Sequence, residues 1–161
     1  MPHFDTERTV AHSADAMFAL VADVEKYPEF VPLCEKLAVR GRQSSGARDV
    51  LIADMTVAYK IVRETFTTKV VLDRKAGTIR AEYLDGPFKH LDNVWTFKAV
   101  DGGHSTVHFA IDYEFRSRTL SALMGTVFDK AFRKFADAFE KRADVVYGKA
   151  GAARPVSPPA P

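Results

Sequence analysis

Five histidines and one cysteine are scattered through the 161 residues in no ligating or nucleophilic pattern. His104 and His108 share one face of a period-two stretch, but at roughly 3.3 Å per residue they stand about 13 Å apart, too far for one metal ion. Cys34 has no histidine near it in sequence to take its proton, so it reads as a small buried residue rather than a nucleophile. No glycine-rich phosphate loop, Gly-x-Ser-x-Gly elbow or His-Glu-x-x-His helix occurs. Asp54 interrupts an apolar stretch, and Asp112 lies opposite the aromatic side of its own; each is either a cavity acid or, more simply, a solvated carboxylate. No catalytic group and no metal site are therefore expected. What remains is apolar: aromatic side chains at regular spacing, which act by burial rather than reaction.

Those aromatics need elements to position them, and the longest is a helix expected over 119–147. Leu120, Leu123, Met124, Val127, Phe128, Ala131, Phe132, Phe135, Ala138, Phe139 and Ala143 recur at steps of three, one and four, which line one helical face. Asp129, Lys130, Arg133, Lys134, Asp137, Glu140, Lys141 and Asp144 take the other. At a rise of roughly 1.5 Å per residue the helix is on the order of 40 Å long and needs an apolar partner of similar length. Gly125 marks a bend or a close approach within it, and Asp129 with Arg133 and Asp137 with Lys141 form i,i+4 pairs.

The rest of the chain supplies that partner. Residues 3–11 read as a half-exposed strand, and Ser13 caps a short amphipathic helix over 14–24. Pro28 and Pro32 forbid a long helix next, so Tyr27 to Cys34 forms a tight apolar turn. From Glu35 the period becomes two. Strands are expected at 35–43, 48–58, 60–72, 78–84, 91–100 and 104–116, separated by short Gly-containing or polar turns, which makes an antiparallel meander. Val107, Phe109, Ile111, Tyr113 and Phe115 share one face of the last strand, with Trp95 and Phe97 matching them on the strand before. One face of the sheet is thus apolar and the other wet.

A length of 161 residues at 47% hydrophobic content fits one domain, 1–147, followed by an Ala/Pro-rich tail over 148–161 expected to be disordered. A net charge of +2 neither demands nor excludes nucleic acid, and no DNA partner is expected. The single cysteine, the polar start and the lack of a long apolar run predict a soluble cytoplasmic protein.

Three pieces of sequence then become specific in combination: Tyr27-Pro28-Glu29-Phe30-Val31-Pro32 with Cys34; Gly86-Pro87-Phe88 with Leu91, Trp95 and Phe97; and Phe139-Glu140 with Arg142-Ala143. On these the chain, over residues 3–147, resembles the coenzyme Q-binding family of the START-like, or helix-grip, superfamily, which also holds polyketide cyclase-like proteins and the bacterial ribosome-association toxins. The resemblance implies an α+β fold in which a curved antiparallel sheet of about seven strands wraps a long C-terminal helix. It also implies a cavity between sheet and helix holding a ubiquinone-like isoprenoid quinone, with no cofactor required.

Tyr27, Phe30, Val31, Phe88, Trp95, Phe97, Phe109, Tyr113, Leu123, Met124, Val127, Phe128 and Phe132 are the expected ligand-binding residues. The plainer alternatives stay open. The helical stripe reads also as packed core, Tyr27 to Val31 as a staple, Trp95 as an anchor, and Gly86-Pro87-Phe88 as a turn, a gate or a tip that touches a membrane surface. Two functions follow from the resemblance: a non-enzymatic quinone carrier serving respiration, working at the inner membrane, or a toxin that binds the large ribosomal subunit through Lys130, Arg133 and Lys134. A cyclase-like enzyme has no acid/base pair to carry it.

Overall fold

A computed structural model describes residues 3–148; the tail expected over 148–161 lies, from residue 149 on, outside them. Strand β1 (His3–Val10) leads to helix α1 (Ala14–Ala22), whose first turn is closed by the Ser13 hydroxyl accepting from the Ala16 amide at 3.1 Å. A short 3-10 helix, Val24–Glu29, contains Pro28 and brings the chain to β2 (Cys34–Ser45). Then follow β3 (Arg48–Tyr59), β4 (Val62–Asp73), β5 (Thr78–Asp85), β6 (Phe88–Asp101), β7 (His104–Phe115) and helix α2 (Arg118–Tyr147). The seven strands form one antiparallel sheet in the order β1-β7-β6-β5-β4-β3-β2. This is the helix-grip α+β architecture.

The sheet is interrupted by register shifts in three of its strand pairs, including one at Thr67/Thr68 and one at Phe88/His90. Each bulge sharpens the local twist, which is how a meander curls around a helix rather than lying flat. The concave face carries Leu51, Ala53 and Val57 of β3, Phe66 and Val70 of β4, Trp95 and Phe97 of β6, and Phe109, Ile111 and Tyr113 of β7, all buried. Against them α2 places Met124, Phe128, Phe132, Phe139 and Ala143.

Several boundaries differ from the sequence reading. Lys60 and Ile61 form the β3–β4 turn, with Lys60 at φ +55, and β6 begins at Phe88 because Phe88 pairs with Phe115. Phe88 is therefore not a loop tip: it is 0% exposed, its amide donates to the Tyr83 hydroxyl at 3.0 Å, and it cannot meet a membrane. The turn ahead of it is packed tight, since a Cβ on Gly86 (φ +143) would fall 2.5 Å from the Phe66 Cβ. Helix α2 runs unbroken through Gly125, where an added Cβ would meet nothing within 4 Å, so close packing does not explain that glycine.

Edge strand β1 is held to β7 partly by charge on the outer face. His3 sits between Asp112 and Asp5, and Asp5 also accepts from His108 at 3.1 Å. The bond to Asp112, then that to Asp5, raises the His3 imidazole above its ordinary 6.5. The bond from His108, then that from His3, keeps the Asp5 carboxyl below its ordinary 3.8. The His3 contribution is complete below pH 6.5 and lost as pH rises through its folded value; the Asp5 contribution is complete above pH 3.8 and lost as pH falls through its own. Amide exchange along β1, corrected for its intrinsic pH dependence, is expected to be slowest between those two values and faster on either side. A flat profile would show that this cluster does not hold the edge.

Candidate functional site

Small side chains on the concave face decide where the core fails to fill. Ala53 on β3, Ala81 on β5 and Ala131 on α2 line the same space from three elements, and their methyl groups leave part of it unfilled. The result is a partly open cavity of about 90 Å³, walled by strands β3 to β7, by Pro32, Leu33 and Leu37, and by the α2 residues Phe128, Ala131, Phe132, Phe135 and Phe139. Apart from Tyr27, Thr68, Asn93 and the Trp95 indole its lining is hydrocarbon and aromatic, and no carboxylate, cation or histidine borders it. Leu33 borders it with φ +67, a left-handed conformation that costs a residue of this kind on the order of 1 kcal/mol.

Of the residues expected to bind ligand, Tyr27, Trp95, Phe128 and Phe132 line this cavity. Val31, Phe97, Phe109, Tyr113 and Met124 are buried in the packed shell around it, as is Phe88. Phe30 lies at a separate shallow cleft with Lys134 and Arg142, Val127 is half-buried outside the cavity, and Leu123 is 61% exposed beside Pro87 and Arg116. Tyr27 serves two ends: its ring packs edge-on against Phe139 at 5.2 Å, and its hydroxyl donates to the Val21 carbonyl. Burial pushes that phenol above its ordinary pKa. Phe30 staples the same segment to α2, with its ring 5.0 Å from Phe139 and the Arg142 guanidinium over its face at 5.0 Å.

The sequence reading missed the β3 to β5 wall and two polar side chains of the lining, Thr68 on β4 and Asn93 on β6. Both stand at inward positions of alternating strands, Thr68 between Phe66 and Val70, Asn93 between Leu91 and Trp95. A polar residue breaking an apolar alternation was the signal that could have found them.

The reactive groups lie elsewhere. Asp54 faces outward, accepting from the Thr67 hydroxyl and pairing with Arg40 at 2.9 Å. Asp112 holds His3, and His104 bonds Asp101 at 2.9 Å at the far end of β7 from the His108 partner Asp5. Burial raises the Cys34 thiol to about 11, which leaves it protonated and unreactive at neutral pH. Among the described residues no group of three potential metal ligands comes together, and no helix is long and apolar enough to cross a membrane.

A curved sheet gripping one helix around a largely apolar chamber defines a helix-grip protein. The chain belongs to the polyketide cyclase / dehydrase and lipid transport family, which matches residues 10–140. It is 33% identical over 140 residues to the ribosome association toxin RatA of Vibrio cholerae, covering 87% of this chain and 94% of that protein. It is 30% identical over 150 residues to the mitochondrial coenzyme Q-binding protein COQ10 homolog B of Xenopus laevis, covering 91% of this chain and 59% of that one. A START superfamily protein from Mycobacterium smegmatis superposes with a TM-score of 0.74 over 89% of this chain and 98% of its own; at 17% identity it speaks to the fold alone.

Proposed function

We propose that this protein binds an isoprenoid quinone between its sheet and α2, without catalysis, and carries it in the cytoplasm to membrane complexes of respiration or quinone synthesis. The observation that carries this reading is the largely apolar cavity with no carboxylate, cation or histidine in its wall. At roughly 24 cal/mol per Å³, a void of about 90 Å³ costs on the order of 2 kcal/mol of stability, a standing cost that a ligand would offset. The void is smaller than the roughly 300 Å³ at which ligand pockets begin, so a prenylated ring enters only if a wall moves. The strained Leu33 and the neighbouring Pro32, on the short link between the 3-10 helix and β2, are the wall best placed to move.

Protein purified from cells that make ubiquinone is expected to yield a quinone on solvent extraction and mass spectrometry, and stripped protein to take up added quinone. Absence of both would overturn the reading.

A ribosome-binding role is the second reading, and the 33% identity to the toxin over nearly its whole length favours it. Its surface would be the outer face of α2. There Arg133, though exposed, is engaged by Asp129 at 3.0 Å and by the Phe4 ring, which leaves Lys130 and Lys134 as the cations of the predicted cluster without an ion pair among the described residues.

A further inference from the structure

The geometry points to Thr68 and Asn93 as the polar end of the cavity, hydrogen-bonding the ring carbonyls of a bound quinone while its tail runs toward Tyr27 and Leu33. The inference rests on the quinone reading above. Besides the Trp95 indole, Tyr27, Thr68 and Asn93 are the lining side chains that carry a nitrogen or oxygen. Tyr27 is committed to the Val21 carbonyl. Asn93 gives one amide hydrogen to the Ala110 carbonyl at 3.0 Å, which leaves it a second hydrogen and its oxygen.

Thr68 is only 8% exposed and lies at a bulge, next to Thr67. Thr67 explains itself, bonding Asp54 and Arg40 on the outer face. The Thr68 hydroxyl has no such neighbour: across its two strand pairs it faces Ala53 and Tyr83, and the Tyr83 hydroxyl is turned to the Phe88 amide. The Thr68 hydroxyl is not one of the wholly buried side-chain atoms left without a partner, so it stays open to the cavity that Thr68 lines.

Placement makes the two groups a pair. On β5, Ala81 is opposite Asn93 on one side and opposite Val70, two residues from Thr68, on the other. Thr68 and Asn93 thus stand on the strands flanking β5, and the floor between them is the methyl group of Ala81. A ring seated over Ala81 has a donor at each side.

The chemistry selects a class of headgroup. A benzoquinone is an apolar ring with two opposed carbonyl acceptors, which match a hydroxyl and an amide N–H. The reduced quinol has two donors, and the same hydroxyl oxygen and amide oxygen can accept them. A fatty acid or phospholipid headgroup would bring a charge, and no cation lines the cavity to meet it. The site therefore fits a neutral, carbonyl-bearing ring in either redox state.

The test is titration of lipid-stripped protein with a decyl-tailed benzoquinone, following quenching of the single tryptophan, Trp95, which borders the cavity. A farnesyl hydrocarbon without the ring serves as competitor. Thr68→Val and Asn93→Leu are each expected to weaken quinone binding about tenfold, as loss of one hydrogen bond does. Hydrocarbon binding should be unchanged, and Thr68→Ser should restore the quinone. In the unmodified protein the infrared carbonyl band of the quinone should move to lower frequency on binding, which needs no variant to fold.

Undiminished quinone affinity in both variants, or no carbonyl shift in the unmodified protein, would overturn the polar end while leaving quinone binding in place. Equal loss for quinone and hydrocarbon would assign both residues to packing and overturn it too. If the unmodified protein takes the hydrocarbon but no quinone, the quinone reading itself falls and this inference falls with it.

Discussion

Phe88→Ala is expected to lower the unfolding free energy by about 3 to 5 kcal/mol, a large part of the roughly 5 to 15 kcal/mol that holds a domain of this size. The Phe88 ring is 0% exposed and stands at a crossing of elements. It stacks on Phe115 of β7 at 4.9 Å, meets Phe66 of β4 edge-on at 5.2 Å and Tyr83 of β5 at 5.7 Å, and lies 6.0 Å from Phe128 of α2. Truncation removes partners from four elements at once and leaves a hole that the tight Gly86 turn cannot collapse into. Ile61→Ala is the contrast: Ile61 is 100% exposed at the β3–β4 turn, and its loss should change stability by less than about 0.5 kcal/mol. Urea denaturation of both variants measures this. A cost below about 1 kcal/mol at Phe88 would mean that the residue is not packed as described and would reopen its role as an exposed tip.

That residue also shows where sequence reading stops. Gly-Pro is a sound turn signal, and the chain does turn at Gly86-Pro87, but whether the next ring points into solvent or core depends on its pairing partner. Phe88 pairs with Phe115, a neighbour 27 positions away that no local pattern reveals.

The helix stripe behaved differently. Met124, Phe128, Phe132 and Phe139 are buried as the 3.6-residue period requires, and the Asp129–Arg133 and Asp137–Lys141 pairs form at 3.0 and 3.1 Å. Leu123, on the same stripe, is exposed because its surroundings near the helix start are Pro87, Arg116 and Glu64 rather than the apolar concave face of the sheet. Strand alternation likewise identified the apolar face, yet the cavity is a property of register. It opens where Ala53, Ala81 and Ala131 converge from three elements, and those contacts are set by strand pairing and helix placement together. Local periodicity says which way a side chain points, not what it meets.

The same convergence supplies the substitution that separates the two functional readings. Ala131 is 6% exposed and lines the cavity from α2, whereas Lys130 and Lys134 of the same helix are exposed to solvent. Ala131→Leu places an isopropyl group in a space of about 90 Å³, which consumes much of it. Quinone affinity is expected to fall at least about 100-fold, roughly 2.7 kcal/mol at 25 °C. Thermal stability should hold or rise, because filling a void returns contacts that the void forfeits.

Ribosome association, if the protein has it, uses the outer face and should be untouched: the variant should co-sediment with large subunits in low-salt sucrose gradients as the unmodified protein does. Charge reversal, Lys130→Glu with Lys134→Glu, should have the opposite profile, abolishing co-sedimentation and sparing quinone uptake, because contacts to a phosphate backbone are electrostatic and salt-dependent. An Ala131→Leu protein that binds quinone undiminished would place the ligand outside this cavity. One that loses ribosome binding would tie the two activities to a single conformation of α2, since the leucine reaches the outer surface only by shifting the helix.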